Sequence, residues 1–279
     1  MSSVAIVLVV VAAFAHAGWN LAAKRVGRGG ALFVWMYQTL SVLIYVPVVV
    51  AIGPPEPQPA WLVAIPVSAL LHNGYSLILQ RGYAVGDLSV VYPVARGSGP
   101  LLSVLAAVLL FGDRPGPLGL VGAAAVVVGV LVIGRGGRGV TGASVRWGLL
   151  TGIAIAGFTL WDAYSVTTLA VPPLGMFCSR AIVQSLMLTP RVRGAEVRGL
   201  WRRYRTEVLV IAVLAPLAST LVLYALTLAP VSTVAPAREV SIVVGSVLAW
   251  RWFGEPDPVR RLTGAAVVLA GVAVIALGG

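Results

Sequence analysis

The chain has 279 residues, of which 59% are hydrophobic and only 10% charged, with a formal net charge of +11 and a mean hydropathy of +0.96. Soluble chains keep roughly a quarter of their residues charged, so a water-soluble globular domain is excluded. Unbroken apolar runs, without strand-like alternation, point to membrane helices and away from a barrel.

Spanning a hydrocarbon core of about 30 Å takes about 20 apolar residues. Ten stretches are predicted to do so: 4–23, 31–52, 60–81, 88–111, 117–134, 147–170, 174–190, 207–229, 232–253 and 262–278. Ala13-Phe14-Ala15 in the first resembles a signal cleavage site. The leading Met1-Ser2-Ser3 carries no positive charge, so the segment is expected to be retained.

Between the spans the basic residues alternate. Lys24, Arg25 and Arg28 lie in the first loop, Arg81 in the third, and Arg135, Arg138 and Arg146 in the fifth. The run Arg191, Arg193, Arg198, Arg202, Arg203 and Arg205 occupies the seventh, with Arg251, Arg260 and Arg261 in the ninth; the even loops hold only Arg114. By the positive-inside rule the odd loops are cytoplasmic and both termini lie outside. The net charge is thus a topology signal and calls for no nucleic acid. The single cysteine, Cys178, and two histidines offer no disulfide framework or metal site. "GRGGRG" at Gly134–Gly139 follows a membrane helix, so it reads as a loop and not as a phosphate cradle. No cofactor is expected.

The chain repeats itself at an offset of 142 residues. Trp19-Asn20 returns as Trp161-Asp162, Arg96 as Arg238, Phe111-Gly112-Asp113 as Phe253-Gly254-Glu255, Gly122 as Gly264 and Gly129 as Gly271. Just before the arginines the offset becomes 143, carrying Ser89 to Ser232 and Pro93 to Pro236. Two five-helix units follow, 1–139 and 140–279. Because five is odd, the second enters the bilayer inverted, a construction typical of secondary transporters with a site at the repeat interface.

The ionisable groups inside spans are the candidates for that site. Arg96 sits eight residues into its span, about 12 Å deep, where insertion costs about 2.5–3.5 kcal/mol. Arg238 with Glu239, Asp162 and Arg180 complete the set. Pro93, Pro100 and Pro236 are expected to interrupt the helices beside the arginines, together with Gly97 and Gly99. Helical spacing adds His16, Asn20 and Lys24 with Trp19, then His72, Ser76 and Gln80; Tyr92 falls four before Arg96, and Gln184 four after Arg180. These stripes, with Trp161, are expected to line one central cavity. The competing role for Arg96 and Arg238 is a structural ion pair with Asp162 or Glu239. Asp113 and Glu255 suit helix caps, and the Gly148/Gly152 pair and the repeated glycines suit close helix packing.

The stretches "YPVARGSGPLLSVLAAVLLFGDRPGPLGLVGAAAVVVGV" and "APAREVSIVVGSVLAWRWFGEPDPVRRLTGAAVVLAGVAV", with "AFAHAGWNLAAKR" at the start, resemble EamA-type repeats of the drug/metabolite transporter superfamily. The resemblance implies an all-α integral membrane protein of ten helices in two inverted repeats around a substrate cavity. It also implies export of amino acids or other small metabolites. Small multidrug-resistance relatives carry a glutamate in the first helix, where this chain has His16 and Asn20, so proton-driven efflux of cationic drugs is not expected. The expected function is alternating-access transport of an amino acid or organic anion across a bacterial inner membrane. The partners are a small-molecule substrate, the lipid bilayer, and a coupling proton or ion if transport is active; oligomeric state has no signature here. The alternatives are a lipid-linked sugar flippase of the same fold and, lacking a nucleophile–base or metal constellation, an intramembrane enzyme.

Overall fold

In a computed structural model the described residues are 2–26, 30–53, 56–85, 88–134, 141–244 and 258–278; for Lys24, Gln80, Tyr92 and Pro93 only the backbone is described. The Phe253-Gly254-Glu255 turn and the loop residues beyond Gly134 lie outside them. Every regular element among the described residues is helical, as lipid requires of any backbone that must satisfy its own polar groups.

In chain order these are α1 (Ser3–Val26), α2 (Gly30–Ile52), α3 (Trp61–Val85) and α4 (Leu88–Ala106), the last closing in a π-helical turn, Ala107–Phe111. Next come α5 (Pro117–Gly134), α6 (Gly142–Thr167) and α7 (Pro173–Leu188) with a short 3-10 turn, Thr189–Arg191. The chain continues through α8 (Gly194–Leu228), α9 (Val231–Ala237) and α10 (Pro258–Gly278); residues 240–244 are helical again after a turn at Arg238-Glu239. Three helices begin on proline, whose missing N–H would have no partner there in any case. The Thr141 side chain caps α6 by accepting the Ser144 amide at 3.2 Å.

Among the described residues six helices are long and apolar enough to cross a membrane: Ser3–Ala23, Gly30–Ile52, Trp61–Leu79, Val94–Phe111, Gly142–Thr167 and Glu196–Leu228. Pro117–Val132, Pro173–Leu188 and Leu262–Ile275 are apolar but shorter. The distribution of polarity is that of a protein dissolved in lipid. Leu62, Leu109 and Ile52 are 80%, 81% and 74% exposed, whereas Asp162, Arg180 and Glu239 are buried.

Small residues bring the helices together. A methyl added at Gly122 would lie 2.6 Å from the Gly271 carbonyl oxygen, and one at Gly271 would meet the Gly122 carbonyl at 2.6 Å. Gly129 meets Gly264 in the same way at 2.7 Å, so α5 and α10 cross antiparallel on two glycine steps, as predicted for these glycines. Gly148 of α6 admits Val94 of α4, and Gly99 of α4 admits Ile155 of α6. Around this core α1 lies along α8, α6 along α3, α2 against α7 and α8, and α3 against α7.

Two of the three expected helix breaks are corrected. α4 runs through both Pro93 and Pro100 without ending. Each proline removes only one ladder hydrogen bond, and the packing of α4 against α6, α5 and α9 holds the rest. Pro236 lies within the last turn of α9, which ends at Ala237, and Arg238 follows in a turn. Asp113 proves to be a cap for the other half of the chain, its Oδ2 accepting the Ser232 amide at the start of α9 at 3.0 Å.

Candidate functional site

A cavity of about 210 Å³ lies among α1, α2, α3, α4, α6, α7, α8 and the turn after α9. Of the residues singled out in the sequence, His16, Trp19, Arg96, Asp162, Arg180 and Arg238 line it, as do His72, Ser76 and Gln184. Two groups of charge line it, and Phe158 touches both, through His72 and Arg238.

Asp162 is the hub of the first group. Ser68 donates its hydroxyl to Oδ1 at 2.5 Å, and Arg180 Nη1 donates to Oδ2 at 2.9 Å. His72 Nε2 lies 2.9 Å from Oδ2 and 2.5 Å from Arg180 Nη1. One ring nitrogen cannot donate to the carboxylate and accept from the guanidinium at once, so the tautomer selects the partner. Asp162 and Arg180 are each 4% exposed, and a buried carboxylate is tolerable only with such partners. The sequence supplies the arrangement through spacing: Phe158, Thr159 and Asp162 occupy one face of α6, and Arg180 and Gln184 one face of α7.

Glu239, wholly buried, is the hub of the second group. Its Oε1 is 3.6 Å from Arg96 Nη1 and 3.5 Å from Arg238 Nε. Neither carboxylate oxygen has a hydrogen-bond donor among the described residues. Arg96 Nη2 lies 2.9 Å from His16 Nε2; a guanidinium only donates, so Nε2 is the acceptor and the ring proton sits on Nδ1. Arg238 donates to the Thr159 hydroxyl at 3.2 Å and stands over the Phe158 ring, 5.9 Å from its centre. Phe158 also stacks on His72, with ring centres 4.1 Å apart. Counted with both imidazoles neutral, three guanidiniums against two carboxylates leave the chamber one positive charge.

Of the two structural ion pairs weighed in the sequence for Arg96 and Arg238, the one with Glu239 is present. Arg96 and Arg238 share Glu239, while Asp162 belongs to Arg180. Asn20 turns away from the expected stripe: its side-chain amide donates to the His16 carbonyl of its own helix at 2.7 Å, and it is not among the lining residues. A short amide competes well for the carbonyl one turn back. Trp161 also does not line the chamber; its indole N–H donates to the Ala64 carbonyl at 2.9 Å and ties α6 to α3. Glu239 stands behind the two arginines and off the wall. The Tyr92 side chain is outside the described residues.

Tyr37, Gln38 and Ser41 of α2, Tyr75 of α3 and Phe158 of α6 line the cavity and were not anticipated. Phe158 was findable at four residues before Asp162. The α2 trio was findable as the polar positions of a strongly apolar span.

No curated protein sequence matches the chain. A solved structure described only as "Crystal structure of protein" superposes with a TM-score of 0.77, covering 99% of this chain and 98% of that chain at 20% identity. At that identity the likeness shows a shared fold. Residues 3–135, the first half of the chain, match the EamA-like transporter family. That segment is similar to the EamA-like transporters, and the long apolar helices make the chain a multi-pass membrane protein.

Proposed function

We propose that this transporter moves a small carboxylate-bearing metabolite, an amino acid or an organic anion, outward across a bacterial inner membrane by alternating access. The observation that carries the proposal is a buried chamber whose fixed charges sum to one positive charge, walled by Arg96, Arg180 and Arg238. A guanidinium binds a carboxylate through paired hydrogen bonds, so a monoanion would neutralise the chamber. Asp162, engaged by Arg180, is placed to take the amino group of a zwitterion.

The volume favours this class over a lipid-linked sugar. A cavity of about 210 Å³ lies below the roughly 300–1,000 Å³ of drug-sized sites. Transport, with no chemical conversion, is the role assigned to the chamber. Residues 1–139 and 140–279 are taken as inverted five-helix units making ten membrane spans. The helix contacts support this: exchanging each helix with its counterpart five places on turns the α1–α8 contact into α6–α3, and α2–α8 into α7–α3, both of which occur. The contacts α2–α7 and α5–α10 map onto themselves. The basic odd loops support an orientation with both termini outside.

Counterflow in reconstituted vesicles tests the proposal with a panel of radiolabelled amino acids and short carboxylates, using wild type, Arg96→Ala and Arg238→Ala. At least one carboxylate is expected to exchange in wild type, at under a tenth of that rate in each variant that still folds. Undiminished flux in both variants, or exchange confined to cations, removes the arginines from substrate binding.

A further inference from the structure

The charge on α8 outside the cavity enters that reading only as a topology signal. The first ten residues of α8, 194–203, form an arm that ends where the backbone leaves helical geometry at Tyr204 (φ −130°, ψ 23°). Its inner side, Val197, Leu200 and Tyr204, packs on the apolar cluster of α1 and α2 that includes Val26 and Phe33. Its outer side carries exposed Arg198 and Arg202, and exposed Arg205 follows the kink. Glu196, the one acid of the arm, lies 3.8 Å from Arg193.

The position of these arginines identifies what they meet. Arg198 and Arg202 are one turn apart. Beyond the kink Arg205, Leu209 and Val213 follow at four-residue steps on one face of α8. Leu209 and Val213 are 43% and 41% exposed, as side chains in contact with hydrocarbon must be. The same line of α8 thus changes from apolar to basic within one turn, and Arg205 stands about 6 Å beyond Leu209 at 1.5 Å per residue. That is the step from hydrocarbon to phosphate in a bilayer. Trp201, 38% exposed beside the arginines, is the residue type that settles at this boundary.

We propose that Arg198, Arg202 and Arg205 form a binding site for the phosphate of an anionic phospholipid headgroup, on an arm that continues through the kink at Tyr204 into the helix lining the cavity. A basic loop that served only to set topology would need neither an ordered amphipathic arm nor alignment with the lipid-facing stripe. A guanidinium pair one turn apart matches phosphate oxygens through bidentate hydrogen bonds. Ile211, on the same helix two turns past Tyr204, lines the chamber, so lipid held by the arm fixes the end of the helix that forms one side of the site.

Native mass spectrometry of the detergent-purified full chain, titrated with phosphatidylglycerol, phosphatidylcholine or glycerol 1-phosphate, measures the site directly. Wild type is expected to prefer phosphatidylglycerol at least tenfold over phosphatidylcholine. In the Arg198→Gln, Arg202→Gln, Arg205→Gln triple variant the phosphatidylglycerol affinity is expected to fall about a hundredfold, from roughly fivefold per arginine. If the triple variant does not accumulate, each single substitution is expected to show its fivefold share. Equal affinity for the two lipids, or an unchanged preference in the folded variants, overturns the proposal. Saturation by glycerol 1-phosphate at the same concentration as phosphatidylglycerol also overturns it, in favour of a soluble-anion site. No outcome depends on the transported substrate, so this site and the cavity reading stand or fall separately.

Discussion

Replacing Arg180 with alanine removes the guanidinium 2.9 Å from the Asp162 carboxylate and leaves that carboxylate 4% exposed with Ser68 and His72. At 2.9 Å the direct attraction is about 6 kcal/mol at an effective dielectric near 20, offset largely by the cost of having dehydrated both ions. Loss of one partner of a buried pair costs about 3–5 kcal/mol. The two remaining polar partners place this case near the lower end, at about 3 kcal/mol. The double change Asp162→Asn, Arg180→Gln leaves no buried charge at this hub and is expected to recover about 2 kcal/mol of that loss. Equilibrium unfolding in mixed micelles of a denaturing detergent measures all three proteins. Vesicle counterflow then separates stability from binding: the double variant is expected to fold but to move substrate at under a tenth of the wild-type rate. A single variant within about 1 kcal/mol of wild type refutes the buried-pair reasoning. A double variant as unstable as the single one does the same, and full flux in the double variant would make the pair a helix lock.

Three further outcomes follow from the packing. Ala at Gly122 or Gly271 places a methyl 2.6 Å from a backbone carbonyl, so each substitution is expected to destabilise by about 1–3 kcal/mol. Because the two share one contact, the double variant should fall short of the sum in the same unfolding assay. Trp161→Phe loses only the hydrogen bond to the Ala64 carbonyl; a loss of about 0.5–1.5 kcal/mol with counterflow intact is expected, and abolished flux would put the indole in the transport path. Asp113→Ala removes the acceptor of the Ser232 amide, for about 1 kcal/mol, and hydrogen exchange should quicken at the first turn of α9 and not in α5.

How much was readable beforehand differed from helix to helix. The extent of α2 was predicted almost residue for residue, because lipid accepts only long apolar helices. The glycine positions of the α5–α10 contact were also legible, since bilayer-embedded helices approach closely only over small residues. Prolines misled at α4, where local chemistry marks a break that neighbouring helices hold closed. Asn20 and Trp161 misled for a related reason. Repetition and spacing show that a polar group shares a helix face, but not whether a backbone carbonyl nearby will satisfy it first.

The sequence by itself determined the solvent of this protein, its helical class, its doubled pattern and the set of ionisable groups committed to the interior, because each follows from the cost of placing polar atoms in hydrocarbon. Only the tertiary structure decided which carboxylate answers which guanidinium. Arg180 reaches Asp162 from the next helix, whereas Arg96 and Arg238, 142 residues apart, converge on Glu239. A pairing is fixed by distances of a few ångströms between helices, and those distances are set by the small-residue crossings and turns of the packed bundle, to which no spacing along a single helix gives access.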